Sequence, residues 1–328
     1  MNSRAVRLFL VLGLFALMPP ANSYPQEKTK KIRMAIPSTN VTFLPLFAAK
    51  HNGYYREEGF DVEFILMRAV LASTAVLTGD IDYNGAVTGV IAAAVRGQPL
   101  KNVIFTMRSP VQSLMVSKEI RDPRQLKGKK VAASSPGATA DLVAKHILKR
   151  FGLEPGRDVF IIYSASEAAR LVTLDSGVVD AAILSVPENI IARQKGFTEL
   201  GVAADFIEFP QNGFGTSVKR IKESRDEVHR MVRATLRGLL FASDARNKEA
   251  SLDIIMKQWK VGSRKMAEEM YDYMAKASAP NASVSMDAIQ FFVDVQRQNA
   301  NVREPVSAEQ VYDGSFVERA LKDLGSKR

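Results

Sequence analysis

Apolar and polar positions along the chain follow two periods, and the switches between them mark short strands and helices. Ile32, Met34 and Ile36 recur at every second residue, which predicts a strand over 31–36. A polar loop over 37–42 precedes a helical pattern over 43–52, stopped by Gly53. Residues 54–59 read as a turn, 62–67 as a strand and 71–78 as a helix ended by Gly79. A short strand over 83–86, a helix over 88–96 ended by Gly97 and a strand over 103–107 complete the unit. Such strict alternation predicts a mostly parallel sheet covered on both faces.

After Arg108-Ser109-Pro110 the pattern restarts. Strands are predicted over 114–117, 131–133, 159–163, 181–184 and 198–202, and helices from 138, over 167–175 and over 187–195, with a helical turn opened by Asp122-Pro123. The halves share a short motif, Gly79-Asp80-Ile81-Asp82 and Gly177-Val178-Val179-Asp180. In each half the motif follows a helix and precedes a short strand, a polar turn and a second helix. Asp82 and Asp180 are expected to serve the turns rather than chemistry. A strand over 214–219 is followed by an almost wholly helical section, over 228–242, 250–259, 265–279, 286–299 and 316–324.

The order of elements implies two similar α/β lobes with a helical C-terminal region. We expect lobe I at 31–108 and 213–328 and lobe II at 109–212, with the chain crossing twice between them. A double crossover is a hinge geometry, and ligands bind in clefts between lobes.

In open α/β sheets ligands sit beyond the carboxyl ends of strands. Four small polar turns fall there, at 38–42, 85–88, 134–139 and 185–188. In the third, Ser135 can cap and Pro136 can open the helix that follows, whose first N–H groups lack internal partners and suit an anion. The predicted ligand-binding residues are Thr42, Phe43, Gly85, Thr88, Ser109, Ser135, Gly137, Ala138, Thr139, Ser185, Asn212 and Phe214. Thr42, Thr88 and Thr139 lead, with plain helix capping an equal alternative for each. Phe43 and Phe214 could stack on an aromatic ligand. Arg68 and Arg108 could meet an anion, and Glu188 would oppose one. A small organic anion, sulfonate or carboxylate, is the first expectation, and a neutral heteroaromatic the second.

Composition narrows the rest. The 328 residues suffice for two domains, and 46% are apolar. Arg4 and Arg7, the apolar run 8–18, Pro19-Pro20 and Ala21-Asn22-Ser23 form an export signal over 1–23, to be cleaved near Ser23. No other stretch is apolar enough to span a membrane. The absence of cysteine excludes a lipidated cysteine, disulfides and thiolate chemistry. The net charge of +10 is scattered over helix faces, without the basic runs and interleaved aromatics of a nucleic-acid binder. His51, His146 and His229 are expected to be structural. No nucleophile–base, metal or dinucleotide motif is present, so no catalysis, metal or cofactor is expected.

Residues 43–63, from Phe43-Leu44-Pro45-Leu46 through Gly53-Tyr54-Tyr55-Arg56-Glu57-Glu58-Gly59 to Glu63, resemble the opening of solute-binding proteins of bacterial ABC importers, in the nitrate/sulfonate/taurine and thiamine-precursor (NMT1/THI5-like) group. The Gly79–Asp82 and Gly177–Asp180 motifs and Leu126-Lys127-Gly128-Lys129-Lys130-Val131-Ala132 fit the same pattern, which spans about 31–260. The resemblance implies a type II periplasmic binding protein fold and a periplasmic monomer. It also implies a small-molecule ligand in the cleft and hand-off to an ABC permease. Enzymes of the same fold, a chorismate-type lyase or a pyrimidine synthase, are the alternative, as is a periplasmic ligand sensor. The synthase pattern has a cysteine-rich iron site that this chain lacks, and the lyase normally lacks an export signal.

Overall fold

The structure is a computed structural model and describes residues 29–164 and 166–325. The expected export signal lies outside the described residues. Strands β1 (Lys30–Ile36), β2 (Phe60–Leu66), β3 (Tyr83–Asn84) and β4 (Leu100–Phe105) belong to one sheet. Strands β5 (Ser113–Val116), β6 (Lys130–Ala133), β7 (Phe160–Tyr163), β8 (Ala181–Leu184) and β9 (Thr198–Val202) form a second. The chain then returns, and β10 (Gly213–Ser217) joins the first sheet. The strand orders, β2-β1-β3-β10-β4 and β7-β6-β8-β5-β9, correspond position for position. These are the two α/β lobes of the periplasmic binding protein fold.

The shared Gly-x-[Ile/Val]-Asp motif has one structural role in both lobes. Asp82 accepts the N–H of Arg33 at 2.7 Å, and Asp180 accepts the N–H of Lys130 at 2.9 Å. Each aspartate thus ties the end of a helix–turn unit to the second strand of its sheet, β1 or β6. Asp82 also pairs with Arg220, which bonds to Glu227 in turn.

Three expectations need correction. The sheets are mixed rather than mostly parallel. β1 and β6 run parallel to their neighbours, but β10 is antiparallel to β3 and β4, and β5 is antiparallel to β8 and β9. A strand that arrives straight from the other lobe, without a helical crossover, enters the sheet from its opposite end. Residues 54–59 are not a plain turn, because Gly53 at φ 78° redirects the chain into the short helix Tyr54–Glu57. The strand placed over 214–219 ends at Ser217, whose hydroxyl accepts the Arg220 N–H and starts the helix Val218–Glu223.

The C-terminal helices serve both lobes. Helix Arg225–Ser243 lies on helix Leu44–His51, and Gly238 lets them touch; a Cβ there would be 2.7 Å from the Ala49 Cβ. Helix Arg264–Ala277 reaches lobe II through Lys276 to Asp205 at 2.6 Å, Tyr273 to Glu199 and Glu269 to Arg193. Helix Met286–Asn299 reaches it through Phe291, edge-on to His146 at 5.2 Å, and through Asn299.

Candidate functional site

The two crossing segments run side by side and bond to each other. Thr106 donates its N–H to the Asn212 carbonyl at 2.7 Å, Gln211 to Met107 and Phe209 to Arg108, both at 3.0 Å. The Ser109 hydroxyl donates to the Ile207 carbonyl at 2.5 Å. Ser109 and Asn212 therefore sit in the connection between lobes. A paired connection of this kind restricts relative motion of the lobes to bending about it. β2 and β7 are the strands furthest from the connection in their sheets.

Lobe I presents three strand ends. After β1, the Asn40 carboxamide oxygen caps residues 41–43 by accepting from the N–H of Thr42, and the Thr42 hydroxyl also donates to it. Thr42 is buried, as is Phe43, which packs in the main core cluster. After β3, Gly85 lies against β1, and a Cβ there would be 2.9 Å from the Ala35 carbonyl oxygen and 3.6 Å from that of Gly213. Thr88 follows in the first turn of helix Val87–Val95, half-buried, with no hydrogen-bond partner for its hydroxyl among the described residues. Phe214 on β10 is fully buried, with its ring edge-on to Tyr83 at 5.0 Å. Arg68 is exposed where β2 leads into helix Ala69–Thr78. Arg108 is exposed in the connection.

In lobe II the helix after β6 is Thr139–Arg150, capped at Ala138 without a side chain, so Ser135 and Pro136 do not open it. The turn is held by Asp141 instead. Its buried carboxylate accepts the Gly137 N–H at 2.7 Å, the Lys145 ammonium at 2.7 Å and the Tyr163 hydroxyl at 3.2 Å. One carboxylate thus already occupies the positive end of this helix. Gly137 has φ 74°, and a Cβ there would be 2.6 Å from Asn299 Oδ1. Among the described residues the Ser135 and Thr139 hydroxyls have no hydrogen-bond partner, and neither does the buried Ser134 Oγ. Ser134 was missed among the predicted residues, since nothing in its spelling separates it from Ser135.

After β8, the Ser185 N–H and hydroxyl both donate to Glu167, and Arg170 pairs with the same carboxylate. Arg170 is 2% exposed and also donates to the Ile183 and Ser164 carbonyls, at 2.8 and 2.9 Å. Glu188 lies beside Glu167. Burial first, and the neighbouring carboxylate next, push its carboxyl above the ordinary range. Val186 and Ile190 flank this turn and belong to the same core cluster as Met107, Val111 and the lobe I core, which places it on the side of lobe II that meets the connection and lobe I. Glu167, Arg170 and Asp141 were not among the predicted site residues, because their contacts with Ser185, Ile183 and Tyr163 join separate elements and leave no local spacing to read.

The raised Glu188 carboxyl has a consequence for stability. The folded protein holds this proton more tightly than the unfolded chain does, so the contribution is complete below the ordinary carboxylate range. It is lost as pH rises through the folded value. Glu188→Gln, which copies the protonated form, should match the parent at acid pH and exceed it in stability at neutral pH. Denaturant melts at both pH values check this, and an equal offset at both would contradict it.

Among the described residues no group of His, Asp or Glu could hold a metal ion, and no helix is long and apolar enough to cross a membrane. Comparison with known proteins fits this geometry. The family described as NMT1/THI5 like matches residues 40–248. YtlA of Bacillus subtilis (strain 168), which bears the name of a binding protein, is 23% identical over 242 residues, 71% of this chain and 72% of YtlA. The periplasmic aliphatic sulphonate binding protein SsuA from Escherichia coli shares the fold at a TM-score of 0.69 and 17% identity, covering 87% of this chain and 92% of that one. The periplasmic nitrate-binding protein NrtA from Synechocystis PCC 6803 does so at 0.70 and 17%, covering 90% and 89%.

Proposed function

Because the chain belongs to the NMT1/THI5-like family, we propose that it is an extracytoplasmic solute-binding protein, which takes a small molecule between its lobes and delivers it to an ABC permease. The observation that carries this is the pair of matching sheets on a doubly bonded connection, with polar strand ends in both lobes. Free hydroxyls at Thr88, Ser134, Ser135 and Thr139 supply donors to a ligand and no machinery to convert it. Magnitude requires both lobes. A micromolar ligand needs about −8 kcal/mol, whereas a hydrogen bond to a charged group nets about 1.5–3 kcal/mol.

Two ligand classes compete. The solutes named for SsuA and NrtA make a small anion, a sulfonate or carboxylate, the first to test. A neutral heteroaromatic bearing N–H donors is favoured by Asp141, Glu167 and Glu188, which bring three carboxyl groups to the lobe II strand ends against Lys145 and Arg170. A thermal-shift panel of both classes, followed by calorimetry, decides between them. Thr139→Ala should weaken the best ligand by about 1–2 kcal/mol through one lost donor. A folded protein that responds to neither class, or a ligand recovered chemically altered, would overturn the reading.

A further inference from the structure

At the outer edge of the first sheet, β2 has a neighbour on one side only. Its register with β1 sets which backbone groups are free. Lys30 donates to the Gly59 carbonyl and Met67 to the Ile36 carbonyl. Odd-numbered residues of β2 therefore turn their backbone toward β1, and Val62, Phe64 and Leu66 turn theirs outward. Side chains alternate through the sheet at the same time. Val62 and Phe64 pack on the side of Phe47, while Ile65 packs on the other face with Ala72 and Val76.

A cavity of about 600 Å³ runs along this edge, between β2 and the helices Leu44–His51 and Lys248–Trp259. Phe47, Phe64 and Ile254 line it. Its rim carries Lys50, Arg56 and Lys257, all exposed, and none of the three is in an ion pair among the described residues. Lys50 instead lies over the Phe64 ring, 5.4 Å from its centre. Asp61 and Glu63 of β2 also border the cavity, but by strand alternation their side chains belong to the opposite set, and Glu63 pairs with Lys31, so the three rim cations remain in excess.

The geometry points to an extended acidic polypeptide segment as the occupant of this groove. Its main chain adds a strand to β2 at Val62, Phe64 and Leu66, an apolar side chain enters between Phe47 and Ile254, and carboxylates meet Lys50 and Lys257. A small aliphatic anion would use the cations and the apolar floor but leave the three free backbone positions unpaired. This site is separate from the strand ends and does not depend on the function proposed above.

The chain carries its own reporter. Trp259, its single tryptophan, packs edge-on to Phe47 at 5.4 Å, and its indole N–H donates to the carbonyl of Thr39, which lines the same groove. The probe is an acetylated, amidated peptide Thr-Glu-Thr-Leu-Thr-Glu-Thr, titrated into the full chain while Trp259 fluorescence is followed. Saturable binding is expected. Of two versions N-methylated at alternate residues, one should bind at least about tenfold more weakly and the other should not, since only one set of N–H groups faces β2. Lys50→Ala combined with Lys257→Ala should weaken the parent peptide about tenfold; both side chains are exposed, so the fold should survive. Equal binding by both N-methylated peptides, equal binding by a peptide with lysine in place of glutamate, or no saturation at millimolar peptide would each overturn the proposal. Binding of dodecanoate but not of the peptide would do the same.

Discussion

Gly213→Ala should melt at far lower denaturant than the parent, with a loss of about 3–5 kcal/mol. Gly213 opens β10, where the chain re-enters lobe I, and its φ is 140°. An added Cβ would overlap the Ile104 carbonyl oxygen and come within 2.9 Å of the Phe105 Cα. Both obstacles are backbone of the neighbouring strand β4, so no side chain can swing aside. Overpacking of this kind costs about 1–3 kcal/mol, and an unsuited backbone conformation adds about 1–3 kcal/mol. Gly97→Ala is the control. It also has positive φ, at 81°, but nothing lies within 4 Å of its added Cβ. It should lose only about 1 kcal/mol. Equal losses in the two variants would show that β10 can move off β4.

Arg170→Met should cost about 3 kcal/mol and weaken the cleft ligand as well. The substitution keeps an apolar stem but removes the donors to Ile183, Ser164 and Glu167. Removing one partner of a buried pair costs about 3–5 kcal/mol. Glu167 retains 28% exposure, which lets water relieve part of that loss and sets the expectation at the low end. The Ser185 turn hangs on the same carboxylate, so freeing Glu167 loosens a strand end of the candidate site. Arg170→Lys should fall between, because an ammonium cannot serve two carbonyls and a carboxylate in one plane. A folded Arg170→Met protein with parental stability would show that the arginine is a bystander. Parental affinity with lowered stability would detach it from the site alone.

Much of the architecture was legible along the chain. Periods of two and 3.6, punctuated by Gly53, Gly79, Gly97 and Gly196, located most strands and helices to within a few residues, because covering one face of a sheet forces that spacing. The repeated motif announced two like lobes, since the same turn needs the same aspartate to reach the neighbouring strand, β1 or β6. Less of the site could be read this way. Small polar turns were found where strands end, but their spelling does not distinguish a hydroxyl free for ligand from one already bonded. Thr42 is tied to Asn40, whereas Thr88 and Thr139 have no hydroxyl partner among the described residues.

Local spacing therefore indicated the order of elements and two like lobes, because these follow from which face each short segment must bury. Three features were left to the tertiary structure. The antiparallel entry of β5 and β10 depends on the end from which a distant segment arrives. The Tyr163 hydroxyl on Asp141 and the Arg170 bond to the Ile183 carbonyl depend on which elements meet once helices pack on the sheet. The basic groove beside β2 joins Lys50 to Lys257 across two helices. Each joins residues of separate elements, and local periodicity carries no record of such contacts.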